Sequence, residues 1–246
     1  MKFYKMKDSS DNFTIINKNM FSLPFRLLVI GRTGSGKSGV LGNLLLRKDA
    51  LRQYFKPENI FIFSGSLKGD QKLKIMIDEL DIPESNLFDN FDEEVGNVIY
   101  DEIVDNYNEK INNKEKPEHT LFIFDDLGFT NKMNKSKKDS MLDRIFCNGR
   151  KFLVSTITLN QKMTQLSTCA REQASSVILF SSSNKQLDII EADFNYLNSD
   201  KKQNRKQFFK LIKDHTSDLH EFIIIDISKK NIYFNKDFKE ISLKDY

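Results

Sequence analysis

Cysteines and long apolar runs are scarce in this chain of 246 residues, and each scarcity excludes a class of protein. The two cysteines, Cys147 and Cys169, form neither a Cys-x-x-Cys pair nor the spacing of a metal site, and they suit a reducing compartment. No apolar run approaches the roughly 20 residues of a membrane-spanning helix, and the first residues lack the apolar core of a signal peptide. We therefore expect an intracellular protein without a membrane span.

An excess of charge of one sign is also absent. The chain has 38 basic and 35 acidic residues, so a nucleic-acid-binding surface would require local clustering of basic residues. Internal repeats, low-complexity tracts and Gly/Ser linkers are absent too, and the length suits one large α/β domain. We predict a single domain over 1–246, with a core over about 25–181 and a C-terminal helical and hairpin extension over about 183–246.

The stretch 31–38, GRTGSGKS, matches the phosphate-binding pattern G-x-x-x-x-G-K-[ST] at every fixed position. It follows an apolar run of strand length at 25–30 and precedes a helix-like pattern at 39–48. In such a loop the backbone N–H groups turn inward, and the helix N-terminus adds a partial positive charge for phosphates. The pattern predicts that Lys37 reaches the β- and γ-phosphates and that the Ser38 hydroxyl binds Mg²⁺. The predicted nucleotide contacts are Gly31, Arg32, Thr33, Gly34, Ser35, Gly36, Lys37, Ser38 and Gly39.

The rest of the chain alternates between strand-like and helix-like patterns. This alternation indicates an α/β fold, in which a mostly parallel central sheet is flanked by helices on both faces. The N-terminal 24 residues show no clear period, and the segment 86–90 is ambiguous. The predicted strands are 59–64, 120–124, 152–159 and 176–180, the predicted helices are 70–80, 93–113, 185–197 and 201–213, and 219–228 with 231–235 forms a predicted C-terminal β-hairpin.

Two acidic residues, Asp125 and Asp126, follow directly after the strand pattern at 120–124. In P-loop proteins a carboxylate at the end of such a strand lies beside the phosphates and helps to hold Mg²⁺. We assign Asp125 to magnesium and Asp126 to polarising the water that attacks the γ-phosphate. Beyond the strand pattern at 152–159, the amide of Gln161 could both donate to the γ-phosphate and orient that water.

Three arginines, Arg144, Arg150 and Arg171, follow these acids along the chain. An arginine contributed by a neighbouring subunit would neutralise charge in the transition state of hydrolysis. The position of Arg171 on the short approach to the strand at 176–180 favours it for this role, and Arg150 is the alternative. A surface or ion-pairing role is expected for Arg144.

Other P-loop classes lack a part of their signature here. The stretch 125–128, DDLG, fits the D-x-x-G pattern of a GTPase, but the N-K-x-D pattern that reads guanine is absent. The L-S-G-G-Q signature of ABC ATPases is absent as well, and we find no arginine-rich lid of a small-molecule kinase. ATP hydrolysis coupled to motion is therefore favoured.

Together these segments resemble the DNA-packaging ATPases of the FtsK–HerA superfamily, which are found in poxviruses, nucleocytoplasmic large DNA viruses and virophages. The resemblance covers about 25–180 and rests on FRLLVIGRTGSGKS, LFIFDDLG, GRKFLVSTITLNQ and TCAREQASSVILF. It implies a RecA/FtsK-like core, a sensor role for Gln161 and an arginine-finger role for Arg171. Lys151 departs from the pattern, which has a histidine after the arginine, so no role is carried over to Arg150 and Lys151 as a pair.

The same resemblance implies a homo-oligomeric ring, hexameric or pentameric, that uses ATP and Mg²⁺ to pump double-stranded DNA into a preformed capsid. A capsid or portal-vertex protein would be its further partner, in the cytoplasmic viral factory of the host or on the virion. Two alternatives stay open: a helicase or partition-type DNA translocase, and a P-loop ATPase that switches the binding of a partner.

A lysine-rich segment that follows the acids is the candidate DNA contact. Lysine contacts to phosphate are independent of sequence, which suits a motor that must move any DNA. A loop here could line the pore of a ring, and a solvated loop is the alternative. The candidate residues are Lys132, Lys135, Lys137 and Lys138, whereas Lys201, Lys202, Arg205, Lys206 and Lys210 are predicted to form a solvated helix face.

Overall fold

The structure is a computed structural model that describes residues 14–15, 21–126, 140–197, 201–230 and 232–246. In this part of the chain the helices are α1 (Lys37–Leu46), α2 (Gln71–Leu80), α3 (Glu93–Asn112), α4 (Met141–Asn148), α5 (Thr168–Glu172), α6 (Asn184–Phe194) and α7 (Lys201–Asp214). The strands are β1 (Thr14–Ile15), β2 (Ser22–Leu23), β3 (Arg26–Ile30), β4 (Ile60–Ser64), β5 (Leu87–Phe88), β6 (Thr120–Asp125), β7 (Val154–Asn160), β8 (Ser176–Phe180), β9 (Phe222–Asp226) and β10 (Tyr233–Phe234).

Eight of the described strands form one sheet, in the order β10-β9-β8-β3-β7-β6-β4-β5. The strands from β8 to β5 are parallel, and β9 and β10 are each antiparallel to their neighbours. Every residue of β6, β7 and β8 is buried, as expected of parallel strands that are covered on both faces. The predicted α/β fold with a mostly parallel sheet and C-terminal antiparallel strands is confirmed.

Each face of the sheet has its own hydrophobic core, because successive side chains of a strand point to opposite faces. In β3, Leu27 and Val29 pack in one core, whose helical residues come from α1 and α2. Leu28 and Ile30 pack in the other, with residues from α3, α4, α5, α6 and α7. The apolar stripes of these helices thus hold the sheet rigidly from both sides.

Three strands, β1, β2 and β5, lie in segments where the sequence pattern predicts none. In the N-terminal segment, where the sequence shows no clear period, β1 and β2 form a small antiparallel sheet. The ambiguous segment contains β5, an edge strand parallel to β4, and its Phe88 ring stacks on Phe63 with centroids 4.6 Å apart. The predicted C-terminal hairpin is present as β9 and β10, and β9 also pairs with β8, which extends the main sheet. Two-residue strands are too short to produce a period, so only their strand partners reveal them.

The carboxyl ends of the central parallel strands meet at one edge of the sheet. Ile30 of β3 lies beside Asn160 of β7, and Asp125 of β6 lies between Leu159 of β7 and Ser64 of β4. We call this part of the molecule, with the described residues that directly follow β3, β4, β6 and β7, the carboxyl edge. It brings together most of the residues that the sequence predicts to act on a nucleotide.

Candidate nucleotide-binding site

The loop 31–38 leaves β3 at the carboxyl edge and turns directly into α1. Gly36 has a φ of 112°, a left-handed conformation that favours glycine, and it lets the helix begin at Lys37. Gly31 has no room for a side chain, because a Cβ there would lie 2.9 Å from Phe180. The Gly31 N–H donates to the Asn160 carbonyl oxygen (3.1 Å), which ties the loop to β7. The loop is therefore shaped by the strands on both sides of it.

Lys37 lies across the loop that precedes it. Its Nζ donates to the carbonyl oxygens of Gly31 (2.7 Å) and Arg32 (3.1 Å). Burial lowers the pKa of Lys37, whereas the nearby carboxylates of Asp125 and Asp126 raise it. An anionic phosphate in the site would favour the charged ammonium, so the residue suits the phosphate contact that the sequence predicts.

Asp125 is buried at the end of β6, with 7% of the residue exposed. Its Oδ2 accepts hydrogen bonds from the hydroxyls of Ser64 (2.9 Å) and Ser66 (3.1 Å). Burial raises the pKa of this carboxyl, and the two serine hydroxyls oppose that rise. The serines fix one carboxylate oxygen, so the carboxyl has a single orientation at the carboxyl edge.

Asp126 and Gln161 come together in the structure, although 35 positions separate them in the chain. The Gln161 side-chain amide donates from Nε2 to Asp126 Oδ1 (3.1 Å). Asp126 has a φ of 50°, and its backbone N–H donates to the Leu159 carbonyl oxygen (3.3 Å). Gln165 Oε1 accepts from the Gln161 backbone N–H (2.7 Å) and holds the turn after β7. Because the acid and the amide contact each other, both side chains can hydrogen-bond to the same water molecule and orient it.

A cavity of about 610 Å³ opens at this edge and connects these residues. Its lining includes most of the residues that the sequence predicts to contact nucleotide or to act in hydrolysis. From the described part of the chain these are Thr33, Gly34, Gly36, Lys37, Ser38, Gly39, Asp125, Asp126 and Gln161.

The cavity is also lined by residues that sequence reasoning missed. Asp70 Oδ2 accepts from the Ser38 hydroxyl (3.0 Å), and Lys72 Nζ lies 4.0 Å from the position that a Cβ on Gly39 would take. His220 Nδ1 donates to the carbonyl oxygen of Ser35 (2.9 Å), a residue 185 positions earlier. Asp70 gave one usable signal, because an Asp before a helical pattern is a helix cap. Nothing in the sequence places His220 near the loop.

The three arginines lie away from this cavity, since none of them is among its described lining residues. Arg171, on α5, forms an ion pair with Asp193 of α6 (3.0 Å), and its side chain is 17% exposed. Arg150 lies in the short 3-10 turn before β7, and its charge contributes to the lowered pKa of Arg26, for which burial is the larger cause. Arg144 pairs with Asp101 (2.7 Å). The lining of the candidate nucleotide cavity, in the part of the chain that the structure describes, thus includes none of the three arginines.

Of the two predicted basic clusters, the structure describes the one on α7 and not the lysine-rich segment after Asp126. On α7, Arg205 pairs with Asp188 (2.6 Å), and both side chains are about half exposed. The predicted DNA-contacting lysines lie outside the described residues, and they are Lys132, Lys135, Lys137 and Lys138.

A glycine-rich loop between strand and helix, a buried acid at the end of another strand, and a polar residue at the end of the strand between them define a P-loop NTPase. The described residues contain no helix with both the length and the apolar character needed to cross a membrane. The chain belongs to the poxvirus A32 protein family, whose model matches residues 13–241. This assignment confirms the resemblance to viral packaging ATPases that the sequence indicates. No curated protein sequence matches the chain.

Solved structures share the fold at low sequence identity. The genome-packaging NTPase B204 of Sulfolobus turreted icosahedral virus 2, in complex with AMP, is 17% identical with a TM-score of 0.59, over 89% of this chain and 98% of B204. The B204 DNA-packaging ATPase of Sulfolobus turreted icosahedral virus is 16% identical with a TM-score of 0.56, over 89% of this chain and 99% of that one. The pCW3 conjugation coupling protein TcpA, with ATPγS, is 12% identical with a TM-score of 0.56, over 88% of this chain and 60% of TcpA.

Proposed function

We propose that this protein is an ATP-driven motor that moves double-stranded DNA into a viral capsid. The observation that carries the proposal is the convergence of Lys37, Asp126 and Gln161 on one cavity, in a chain of the poxvirus A32 family. These residues supply a cation for the phosphates, an acid for the attacking water and an amide that contacts the acid, which suits hydrolysis of ATP. The packaging NTPases that share the fold support a link between this chemistry and DNA.

In the proposed reaction, the loop 31–38 binds the phosphates of ATP and Lys37 exchanges its contacts with loop carbonyls for phosphate oxygens. Asp126 polarises the attacking water, whose oxygen bonds to the γ-phosphorus while the bond from that phosphorus to the β-phosphate oxygen breaks, and the protons of the water leave with the released phosphate. Gln161 holds Asp126 through its amide and senses whether a γ-phosphate is present. The products are ADP and phosphate.

The oxygen atoms of Ser38 and Asp125 fit Mg²⁺, an ion that prefers oxygen ligands. Burial raises the pKa of Asp125, so a nearby cation would favour its charged form. Mg²⁺, when it is bound with ATP, neutralises part of the phosphate charge that develops during transfer.

Coupling to DNA needs more than one subunit in this proposal. Arg171 lies outside the cavity of its own chain, so it would serve a neighbour in a homo-oligomeric ring, after leaving Asp193. The lysine-rich segment after Asp126 would contact DNA phosphates in the pore, through Lys132, Lys135, Lys137 and Lys138. A capsid or portal-vertex protein would anchor the ring at the capsid in the infected cell.

The direct test measures ATP turnover of the full chain with duplex DNA, with single-stranded DNA and without nucleic acid. We expect duplex DNA to raise turnover, and we expect electron microscopy with a non-hydrolysable ATP analogue and DNA to show rings around duplex. If the protein is a monomer and duplex DNA does not change its ATP turnover, the proposed motor is contradicted. A nucleotide-switched partner-binding protein would then be favoured.

The lysine segment gives a second arm of this test. Replacing Lys135, Lys137 and Lys138 with Ala should weaken binding to all duplex sequences alike. The slope of log binding constant against log salt should flatten by about 0.9 for each phosphate contact that is lost. The same replacement at Lys201, Lys202 and Lys206 is the matched control. An unchanged slope in the first variant would contradict the proposal that the segment contacts DNA in the pore.

A further inference from the structure

Asp70, just before α2, holds two elements of the molecule at once. Its Oδ1 caps α2 by accepting from the backbone N–H groups of Lys72 (2.8 Å) and Leu73 (3.2 Å). Its Oδ2 accepts from the hydroxyl of Ser38 (3.0 Å), which lies 32 positions earlier, in the first turn of α1. The cap is complete without the second contact, so helix capping does not explain why the carboxylate reaches Ser38.

The direction of this hydrogen bond matters for the role predicted for Ser38. A serine hydroxyl has one proton to donate and two lone pairs. Because the proton goes to Asp70, the lone pairs stay available for a cation. A hydroxyl that binds Mg²⁺ keeps its proton, and an anionic acceptor for that proton makes the oxygen a better ligand. Mutation of a residue that hydrogen-bonds to a metal ligand commonly lowers the metal affinity by 10- to 100-fold.

The carboxylate is also electrically part of the cavity. Asp70 lines it together with Asp125, so its negative charge lies at the same cavity as the predicted magnesium ligands. Lys72, two residues later, places its ammonium near Gly39, at the same side of the cavity. The start of α2 thus adds one acid and one base to a site that the sequence assigns to three other segments.

We propose that Asp70 is a positioning residue for the nucleotide-bound Mg²⁺, acting by accepting the hydroxyl proton of Ser38. The inference rests on the ATP-binding part of the proposed function and not on DNA translocation. It predicts that loss of the acceptor weakens binding of Mg²⁺ with nucleotide, while binding of nucleotide alone is unchanged.

The variant Asp70→Asn separates the two roles of the residue. An asparagine keeps one oxygen for the cap of α2, so its remaining polar group is an NH₂, which cannot accept the Ser38 proton. Asp92→Asn is the matched control, because Asp92 caps α3 with the same pair of bonds, to the backbone N–H groups of Glu94 (2.9 Å) and Val95 (3.2 Å). Thermal unfolding of both variants reports any damage to the caps.

The experiment titrates Mg²⁺ against the binding of a fluorescent, non-hydrolysable ATP analogue to the full chain, with a parallel measurement in EDTA. We expect the Mg²⁺ midpoint of Asp70→Asn to rise about 10- to 100-fold. Asp92→Asn should match the wild type, and all three proteins should bind the analogue equally in EDTA. In a Ser38→Ala background, Asp70→Asn should add less than a two-fold shift, because the hydroxyl on which it acts is gone.

Two results would overturn the inference. One is a Mg²⁺ midpoint of Asp70→Asn within two-fold of the wild type. The other is a loss of binding that is as large in EDTA as in Mg²⁺, since that would reflect the loop or the net charge of the cavity. If the wild type itself binds the analogue without any dependence on Mg²⁺, the proposed ATP chemistry fails and not the contact of Asp70 alone.

Discussion

The carboxyl edge and helix α5 both carry residues assigned to ATP hydrolysis, but the two regions are prepared to different degrees. At the carboxyl edge, Asp126 and Gln161 already contact each other, and Lys37 lies in the same cavity. On α5, the charge of Arg171 is engaged by Asp193 of its own chain. One chain thus brings the candidate phosphate-binding residues together, whereas the proposed use of Arg171 by a neighbour would require the exchange of an ion pair.

The largest effect should come from breaking the prepared region at Asp126. Asp126→Asn keeps the shape of the side chain and loses the charge that polarises water in the proposed reaction. We expect turnover to fall about 10²- to 10⁴-fold while the dissociation constant for an ATP analogue changes less than about three-fold. Wild-type turnover in this variant would remove Asp126 from the reaction and leave Asp70 as the next carboxylate to test.

The trans role of Arg171 can be tested by mixing subunits. Arg171→Ala should bind ATP normally and hydrolyse it about 10³-fold more slowly, and Lys37→Ala should be nearly inactive. In mixed rings, an intact Lys37 site can receive Arg171 from a neighbour, so activity should return at least several-fold above the separate variants. Mixed oligomers without this rescue would contradict the trans role, and the same test would then be applied to Arg150.

A smaller effect should follow from releasing Arg171 inside its own subunit. Burial raises the pKa of Asp193 although the charge of Arg171 opposes the rise, so pairing does not fully offset the cost of desolvation. Asp193→Asn should therefore free the arginine and increase turnover of assembled rings, by a factor far smaller than the roughly 10³-fold loss expected for Arg171→Ala. The control is Asp188→Asn, which breaks the more exposed pair with Arg205 and should leave turnover unchanged. Lower turnover in Asp193→Asn, with normal thermal stability, would show that the pair positions the arginine.

The smallest effect concerns stability at the carboxyl edge. Burial raises the pKa of Asp125 above its ordinary value of 3.8, so the folded state holds this proton more tightly than the unfolded chain does. The stabilisation is fully present below 3.8 and is lost as the pH rises through the raised value. Asp125→Asn has no such loss. The difference in melting temperature, variant minus wild type, should therefore be more positive at neutral pH than at pH 3. An equal difference at both pH values would contradict the burial of charge at this position.

Much of the fold could be predicted because its signals are local. Central strands that are buried on both faces read as continuous apolar runs, and β8 begins and ends at the predicted residues, Ser176 and Phe180. The sequence pattern could not predict strands β1, β2 and β5. A strand of two residues shows no period, and each of these strands forms only by pairing with a partner strand. The addition of β9 to the main sheet was also hidden, because a hairpin pattern does not specify its third neighbour.

The sequence by itself determined the P-loop at 31–38, the acids at 125 and 126 and the amide at 161, since each follows an apolar strand and the carboxyl ends of parallel strands meet at one edge. Only the tertiary structure decided that Asp70 accepts the proton of Ser38, that His220 holds the loop, and that Arg171 is paired with Asp193. The physical reason is that a hydrogen bond or an ion pair requires its atoms within a few ångströms, and between segments far apart in the chain that distance is set by how helices and strands pack.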